Sequence, residues 1–302
     1  MGRTRKGRSV NGILLLDKPM GLSSQQALSR VKYLFNAKKA GHTGTLDPMA
    51  TGLLPLTFGV ATRISGLLLE GDKRYFARVK LGEATDTLDA EGEVIATSPV
   101  PPSLTLEGLQ QAAKSFIGQI SQIPPMASAL KHNGQRLYDL ARQGIEVERK
   151  ARDVTIYELD SLALDPHYFS FEVLCSKGTY VRTLAADLCE ALGTVGHLVE
   201  LRRLSSGPFS VADAASMASL DDLDHTALDL MLLPTDAALM DYPALIASNS
   251  QAQRVRQAGN GYNAQVDAGW YRLYDSQNCF LAMAEATDSG MVIPRKMMIE
   301  MN

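Results

Sequence analysis

The sequence predicts an α+β protein: a central, largely antiparallel mixed sheet flanked by helices, with a smaller β-rich unit behind it. Three observations lead there. Alternating runs and helical patterns are interleaved irregularly, with hairpin-like pairs of runs, unlike the regular strand-helix alternation of a wound parallel sheet. At 302 residues and 45% apolar content the chain can bury a sizeable core and make two domains. Near Tyr242 an acidic stretch rich in Ala and Leu gives way to short alternating runs.

The first element is the run "NGILLLDKPMG", a short strand closed by a Pro-Gly turn. A helix follows. Ser23 and Gln26 have capping-box spacing, and Leu28, Val31 and Leu34/Phe35 recur at helical intervals. "KRYFARVKLG" alternates so that Tyr75, Ala77, Val79 and Leu81 share one face, as a half-buried strand requires. "TDTLDAEGEVI" is turn-rich and acidic, and "SLTLEGLQQAAKSFIG" reads as a helix opened by a Ser or Thr cap. After a Pro-Pro break, residues 124–152 are mostly polar and basic, with Lys131, Arg136, Arg142, Arg149, Lys150 and Arg152 against Asp139, Glu146 and Glu148. Strands resume with "VTIYELDSLAL" and "YFSFEVLCSKGTYVRTL", the latter running directly into a helix ended by Gly193. On that reading Tyr180 and Arg182 share a strand face at i, i+2. Past Tyr242, runs separated by "DSQN" and "TDSG" predict a small antiparallel sheet or barrel.

Cys175, Cys189 and Cys279 lie far apart with no CxxC pair, and the five histidines show no HxH or HxxxH spacing. This predicts neither a disulfide framework nor a metal site, and fits a reducing compartment. The apolar run before Asp17 is too short for a signal sequence, and no later run reaches membrane-spanning length, so a cytoplasmic protein is expected. Net charge is -3 but uneven. Residues 1–80 hold fourteen Lys or Arg against four Asp or Glu, whereas residues 204–250 hold seven Asp and no Lys, Arg or Glu. The asymmetry has two readings, a surface for polyanions or a device for solubility.

Within "AGHTGTLDPMATGLLPL", residues 40–56, Asp47 is the lone carboxylate. Pro48 biases it towards extended backbone, and the glycines at 41, 44 and 52 permit turns and close approach. Local chemistry leaves two readings: an Asx-turn that bonds nearby N–H groups, or a carboxylate presented to a cleft.

Five segments in chain order add a resemblance: "LLLDKPMGLSS", "GHTGTLDPMATGLLPL", "DKRYFARVKLGEATDTLDAEGEV", "SKGTYVRTLAADL" and "HLVELRRLSSGPF". Together they resemble the motifs of TruB-type tRNA pseudouridine synthases, over residues 11 to 210. The chain departs at Ser23, where threonine is common, and at Ala127, where an aromatic is usual. The resemblance implies the pseudouridine synthase fold over residues 1–240, with 124–152 as an RNA-gripping insertion, and, more weakly, a PUA-like RNA-binding barrel over 241–302. The implied reaction breaks the N-glycosidic bond of a flipped-out T-loop uridine and rejoins the base to ribose through carbon.

On the same resemblance Asp47 is the nucleophile, a role an ionised carboxylate can fill without a cofactor, and none is expected. Arg182 is the cation that keeps Asp47 ionised where desolvation opposes it, and its planar fork suits a carboxylate. Tyr75 stacks on the extruded base and serves in proton removal. Tyr180 and Leu201 line the pocket, His42 contacts the RNA loop, and Lys18 touches either the Asp47 loop or a phosphate. Lys131, Arg136 and Arg142 grip the RNA. The partner implied is the T-arm stem-loop of tRNA, bound by a monomer without a guide RNA. The competing readings are an RNA-binding or RNA-folding protein without turnover, which would have lost Asp47 or Arg182, and a synthase acting on a different RNA.

Overall fold

In the computed structural model, residues 7–299 are described, apart from 129, 133 and 142. A large mixed sheet runs in the order Ala215–Ser216, Gly12–Lys18, Thr51–Phe58, Gly196–Ser206, Lys73–Leu81, Tyr168–Cys175, Arg152–Leu164, Gly118–Gln122. Neighbours are antiparallel except at the first pair and between Thr51–Phe58 and Gly196–Ser206. That second parallel junction lies mid-sheet.

The near-continuous apolar runs follow from burial on both faces. Along Gly12–Lys18, Leu14 and Leu16 enter the main core, while Ile13 and Leu15 enter a second cluster with Leu53, Leu68 and Phe209. Each such leucine or isoleucine contributes about 1.5–3 kcal/mol by leaving water. The helices Ser24–Leu34, Leu106–Lys114 and Val181–Ala191 put Leu28, Val31, Leu109, Leu184 and Leu188 into the main core. The capping box forms as expected, with Ser23 and Gln26 satisfying each other's backbone. Thr105 caps the second helix.

One expectation changes. The strand holding "YFSFEVLC" ends at Cys175, and the following helix begins at Val181, so Tyr180 and Arg182 do not share a strand face. Gly178, at φ +83, turns the chain where the alternating pattern continued on paper. Tyr180 becomes the residue before the helix, and Arg182 lies in its first turn. In the basic segment Lys131–His132 and Gln135–Arg136 pair as a hairpin, and a helix follows at Leu137–Ala141, with Leu137 and Leu140 buried.

A second sheet orders Ala244–Ile246, Gly269–Tyr274, Phe280–Ala286, Met291–Met297 and Tyr262–Asn263, with the helix Asn249–Ala258 against it. Hairpin turns fall at "DSQN" and "TDSG" as expected. Its Met283 and Met298 cluster with Ile64 and Leu239 of the preceding unit, and Arg63 Nη1 donates to the carbonyls of Met297 (2.6 Å) and Ile299 (3.0 Å). The uneven charge is partly internal: Arg8 pairs with Asp229 and Arg30 with Asp221, so N-terminal cations face the aspartate-rich stretch. Among the described residues no helix is long and apolar enough to cross a membrane.

Candidate active site

The loop carrying Asp47 joins Ala40–His42 to Thr51–Phe58 and is pinned on both sides of the carboxylate. Leu46, Met49 and Ala50 are buried in the main core. The hydroxyl of Ser24 accepts from Leu46 N (2.7 Å) and donates to Leu46 O (3.0 Å), tying the loop to the start of the first helix. Gly21 N donates to Pro48 O at 2.8 Å. With its neighbours fixed inward, Asp47 faces out of the core, its side chain 33% exposed.

Its partner is Arg182. The guanidinium Nε lies 3.1 Å from Asp47 Oδ2, Nη1 lies 3.0 Å from Asp89 Oδ2 and donates to Thr87 O (3.0 Å), and Nη2 donates to Ala127 O (2.7 Å). Among the described residues the Asp47 carboxylate makes its contact with this cation, distant in sequence, and not with a local N–H. Arg182 sits in the first turn of its helix, where the macrodipole disfavours a cation, and the two carboxylates offset that cost. Asp89, 2% exposed, is fixed by Thr87 Oγ1 (2.6 Å) and Glu91 N (3.1 Å), after Leu88 takes a left-handed φ of +63.

Desolvation pushes the Asp47 carboxyl above its usual value. Arg182 and Lys18 pull it down, while Asp89 pushes it up. The net direction is upward, because desolvation outweighs the two cations.

Lys18 is fully buried and donates to the carbonyls of Pro19 (2.9 Å), Leu22 (2.6 Å) and Pro48 (3.4 Å). In this geometry it braces the Asp47 loop and offers no surface to a phosphate. Burial brings it down to about 8, with Asp47 and Glu91 opposing.

Tyr75 lies on the strand Lys73–Leu81 against the main core, opposite Arg203 on the neighbouring strand. Burial raises its hydroxyl, Arg203 lowers it, and Asp47 is near enough to act on it. Tyr180 is held by Gln122, whose Oε1 accepts from Tyr180 N (3.0 Å) and whose Nε2 donates to Tyr180 O (3.3 Å). Burial likewise raises the Tyr180 hydroxyl, and Asp47 acts on it too. Arg182, Tyr75, Tyr180 and Lys18 therefore gather around the Asp47 carboxylate.

His42 stands at the start of the same loop, half-buried, and its Nδ1 is buried without a hydrogen-bond partner among the described residues. Burial, with Arg203 nearby, pushes it towards the neutral form. Leu201 is 6% exposed within the main core, across the ladder from Ala77. Lys131 and Arg136 are backbone register partners in the hairpin of the basic segment; Arg142 lies outside the described residues.

Sequence reasoning passed over two residues, Asp89 and Arg203. Asp89 carries no periodic signal, being one acid among several in a turn-rich stretch. Arg203 left a trace: Arg202 and Arg203 are adjacent on a strand, so they must point to opposite faces. Arg202 makes a two-pronged ion pair with Asp17 (3.0 and 2.7 Å), and Arg203 is 1% exposed.

Comparison with known proteins adds three observations. Residues 32–181 match the N-terminal domain of TruB family pseudouridylate synthases, residues 182–240 the tRNA pseudouridylate synthase B C-terminal domain, and residues 243–298 the TruB C-terminal domain of pseudouridine synthase II. The tRNA pseudouridine synthase B of Chromohalobacter salexigens is 47% identical, over 99% of this chain and 97% of its own length. Those of Nitrosococcus oceani (46%; 98% and 97%) and Pseudomonas aeruginosa (46%; 96% and 96%) are similarly close. Among solved structures, a Cbf5-Nop10-Gar1 complex matches with a TM-score of 0.70 at 24% identity, covering 95% of this chain and 85% of that one. An H/ACA RNP bound to a substrate RNA containing 2'-deoxyuridine matches at 0.71 and 22%, covering 100% and 92%. At that identity the structural likeness speaks for the fold.

Proposed function

Because the chain belongs to the TruB family of pseudouridylate synthases, we propose that it isomerises the T-loop uridine of tRNA to pseudouridine, with Asp47 as the nucleophile. The observation that carries this reading is the 3.1 Å approach of Arg182 to Asp47 beside two tyrosines. A nucleophilic carboxylate must be ionised when the uridine arrives, and Arg182 opposes the desolvation that would protonate it.

The reaction conserves every atom of the substrate. Asp47 attaches transiently to sugar or base while the glycosidic bond opens, the base turns, and C5 joins the ribose. The proton on C5 then leaves, with Tyr75 as the nearby group to receive it. Extruding the uridine costs a few kcal/mol, and stacking on an aromatic face returns roughly 1–3 kcal/mol. Tyr75 is assigned that face, and Tyr180 and Leu201 the pocket wall. His42 and the basic hairpin with Lys131 and Arg136 are assigned to the RNA, and Lys18 to bracing the loop. Residues 1–240 would carry the chemistry, and 241–302 a PUA-like contact to RNA.

The test is incubation of purified protein with unmodified tRNA and with an isolated T-arm stem-loop, followed by mapping of pseudouridine. Product at the T-loop uridine in both, lost in Asp47→Asn, is expected. Product elsewhere in the tRNA, or full activity in Asp47→Asn, would overturn the assignment.

A further inference from the structure

We propose that Arg203 is a positioning residue for the reaction: a buried cation set across the sheet from Tyr75 that eases formation of its phenolate, the form in which Tyr75 takes the C5 proton. This rests on the reading above that the chain makes pseudouridine.

Arg203 is buried in the middle of the sheet and yet, among the described residues, has no carboxylate in ion-pair reach. Its Nε donates to Leu53 O at 2.5 Å and its Nη2 to Gly44 O at 3.3 Å. The other arginines of this region are paired: Arg182 with Asp47 and Asp89, Arg202 with Asp17. A guanidinium held out of water without an anion is costly, and carbonyl contacts offset only part of that cost. The side chain directly across the ladder, on the same inward face, is Tyr75.

The surroundings isolate this charge further. Lys18, His42 and Lys73 are each pushed towards the neutral form, with burial the largest cause and Arg203 a contributor in each case. Burial holds the Tyr75 hydroxyl above its usual value, and three groups from three elements act on it besides: Arg203 favours its anion, while Cys175 on the adjacent strand and Asp47 on its loop oppose it. Removing Arg203 leaves Tyr75 with burial and two opposing neighbours. Arg203 also holds the carbonyls of Gly44 and Leu53, at either end of the Asp47 loop, so one guanidinium fixes the nucleophile's loop relative to the tyrosine.

In the step concerned the uracil is already joined to the ribose through C5. The C5–H bond breaks, and its electron pair becomes the C5=C6 double bond. The C6=N1 pair moves to N1 and is protonated there. One proton leaves C5 for the Tyr75 oxygen and passes on to water, and one arrives at N1 from water, so no oxidant, reductant or other co-reactant is needed.

The experiment is single-turnover kinetics on tRNA carrying either hydrogen or deuterium at uracil C5, across pH, with wild type, Arg203→Met, Arg203→Lys and Tyr75→Phe. Arg203→Met is expected to slow turnover on the order of 10²-fold, as loss of an effective general base does. It should also show a primary isotope effect larger than wild type and a rate that rises at higher pH. Arg203→Lys, which keeps the charge, should restore most of the rate and a wild-type isotope effect. A merely structural role slows Arg203→Met without raising the isotope effect or moving the pH profile, and that result overturns the proposal. If Arg203→Met does not fold, Arg203→Lys decides: an isotope effect above wild type counts against the charge as the cause, and a wild-type value supports it. Wild-type protein that makes no pseudouridine sinks the functional reading instead, so the two failures are distinguishable.

Discussion

Asp89 Oδ2 lies 3.0 Å from Nη1 of Arg182, and both side chains are almost wholly buried. The cation paired with Asp47 is therefore shared with a second carboxylate that is itself buried. Asp89 fixes where Arg182 points while drawing on the charge that Asp47 needs.

Replacing Asp89 with Asn should separate these effects. Breaking a buried pair costs about 3–5 kcal/mol when the remaining charge is left alone, and because Arg182 keeps Asp47 the loss should fall towards the lower end. Thermal unfolding reads this. At the same time the acid limb of the rate profile should move to lower pH, since Arg182 then serves Asp47 alone and Asp89 no longer repels it. An acid limb that stays in place would show that the two carboxylates do not communicate.

Asp47→Asn should abolish turnover and, near neutral pH, stabilise the fold. Burial raises Asp47 above 3.8, so the folded chain still holds its proton in a window where the unfolded chain has released it. Ionisation on going upward through that window costs stability. The variant has no such cost, so its stability should gain on wild type as pH rises from 3.8, measured by denaturant titration at several pH values. A variant that loses ground with rising pH would mean that Arg182 outweighs desolvation.

Lys18→Met tests the brace beneath the loop. Burial brings Lys18 from 10.5 down to about 8, so between those values the unfolded chain binds the extra proton. Wild-type stability should therefore gain from Lys18 as pH rises from about 8 to 10.5, on the order of 3 kcal/mol in all. The variant should lack this rise, and should also turn over more slowly, because Pro48 loses one of its two tethers. Parallel stability curves for the two proteins would exclude a titrating Lys18.

Gly52→Ala should be among the most damaging single-methyl changes in the chain. Gly52 has φ +98, and a Cβ there would sit 2.3 Å from the carbonyl oxygen of Arg203, at the parallel junction of the sheet. A loss of at least ~3 kcal/mol is expected from strain and clash combined. Gly66→Ala, in open space within the helix Ser65–Glu70, is the control and should be neutral or slightly stabilising.

Charge reversal at Lys131 or Arg136 should weaken tRNA binding without changing the fold. Each lost phosphate contact should lower the slope of log K against log salt by about 0.7 on single-stranded segments. Filter binding at several salt concentrations reads both effects. Salt-independent binding would remove the basic hairpin from the interface.

The legible parts of the molecule are those whose cause is local. Ser23 and Gln26 cap one another within three residues, and the alternation from Tyr75 to Leu81 states its own two faces. Asp47 drew notice because glycine and proline surround it. The alternation through "SKGTYV" misled, since a turn at Gly178 overrides a pattern that a strand and a helix start can share over so few residues. Asp89 and Arg203 were unreadable as site residues for a different reason. Each is defined by a partner far away in the chain: Arg182 for the first, Leu53 and Tyr75 for the second. No window of sequence contains both ends of such a relationship.

The parallel junction that joins Thr51–Phe58 to Gly196–Ser206 has a consequence for the growing chain. Contacts across it span 150 residues, as in the bond from Arg203 to Leu53, so the loop-closure entropy is met late, after the local hairpins have formed. A nascent polypeptide that has emerged as far as Arg182 already holds Asp47, Tyr75 and their arginine, but lacks the strand on which they rest. Competence for chemistry should therefore arise abruptly during synthesis, when residues 196–206 insert between two strands that are waiting for them.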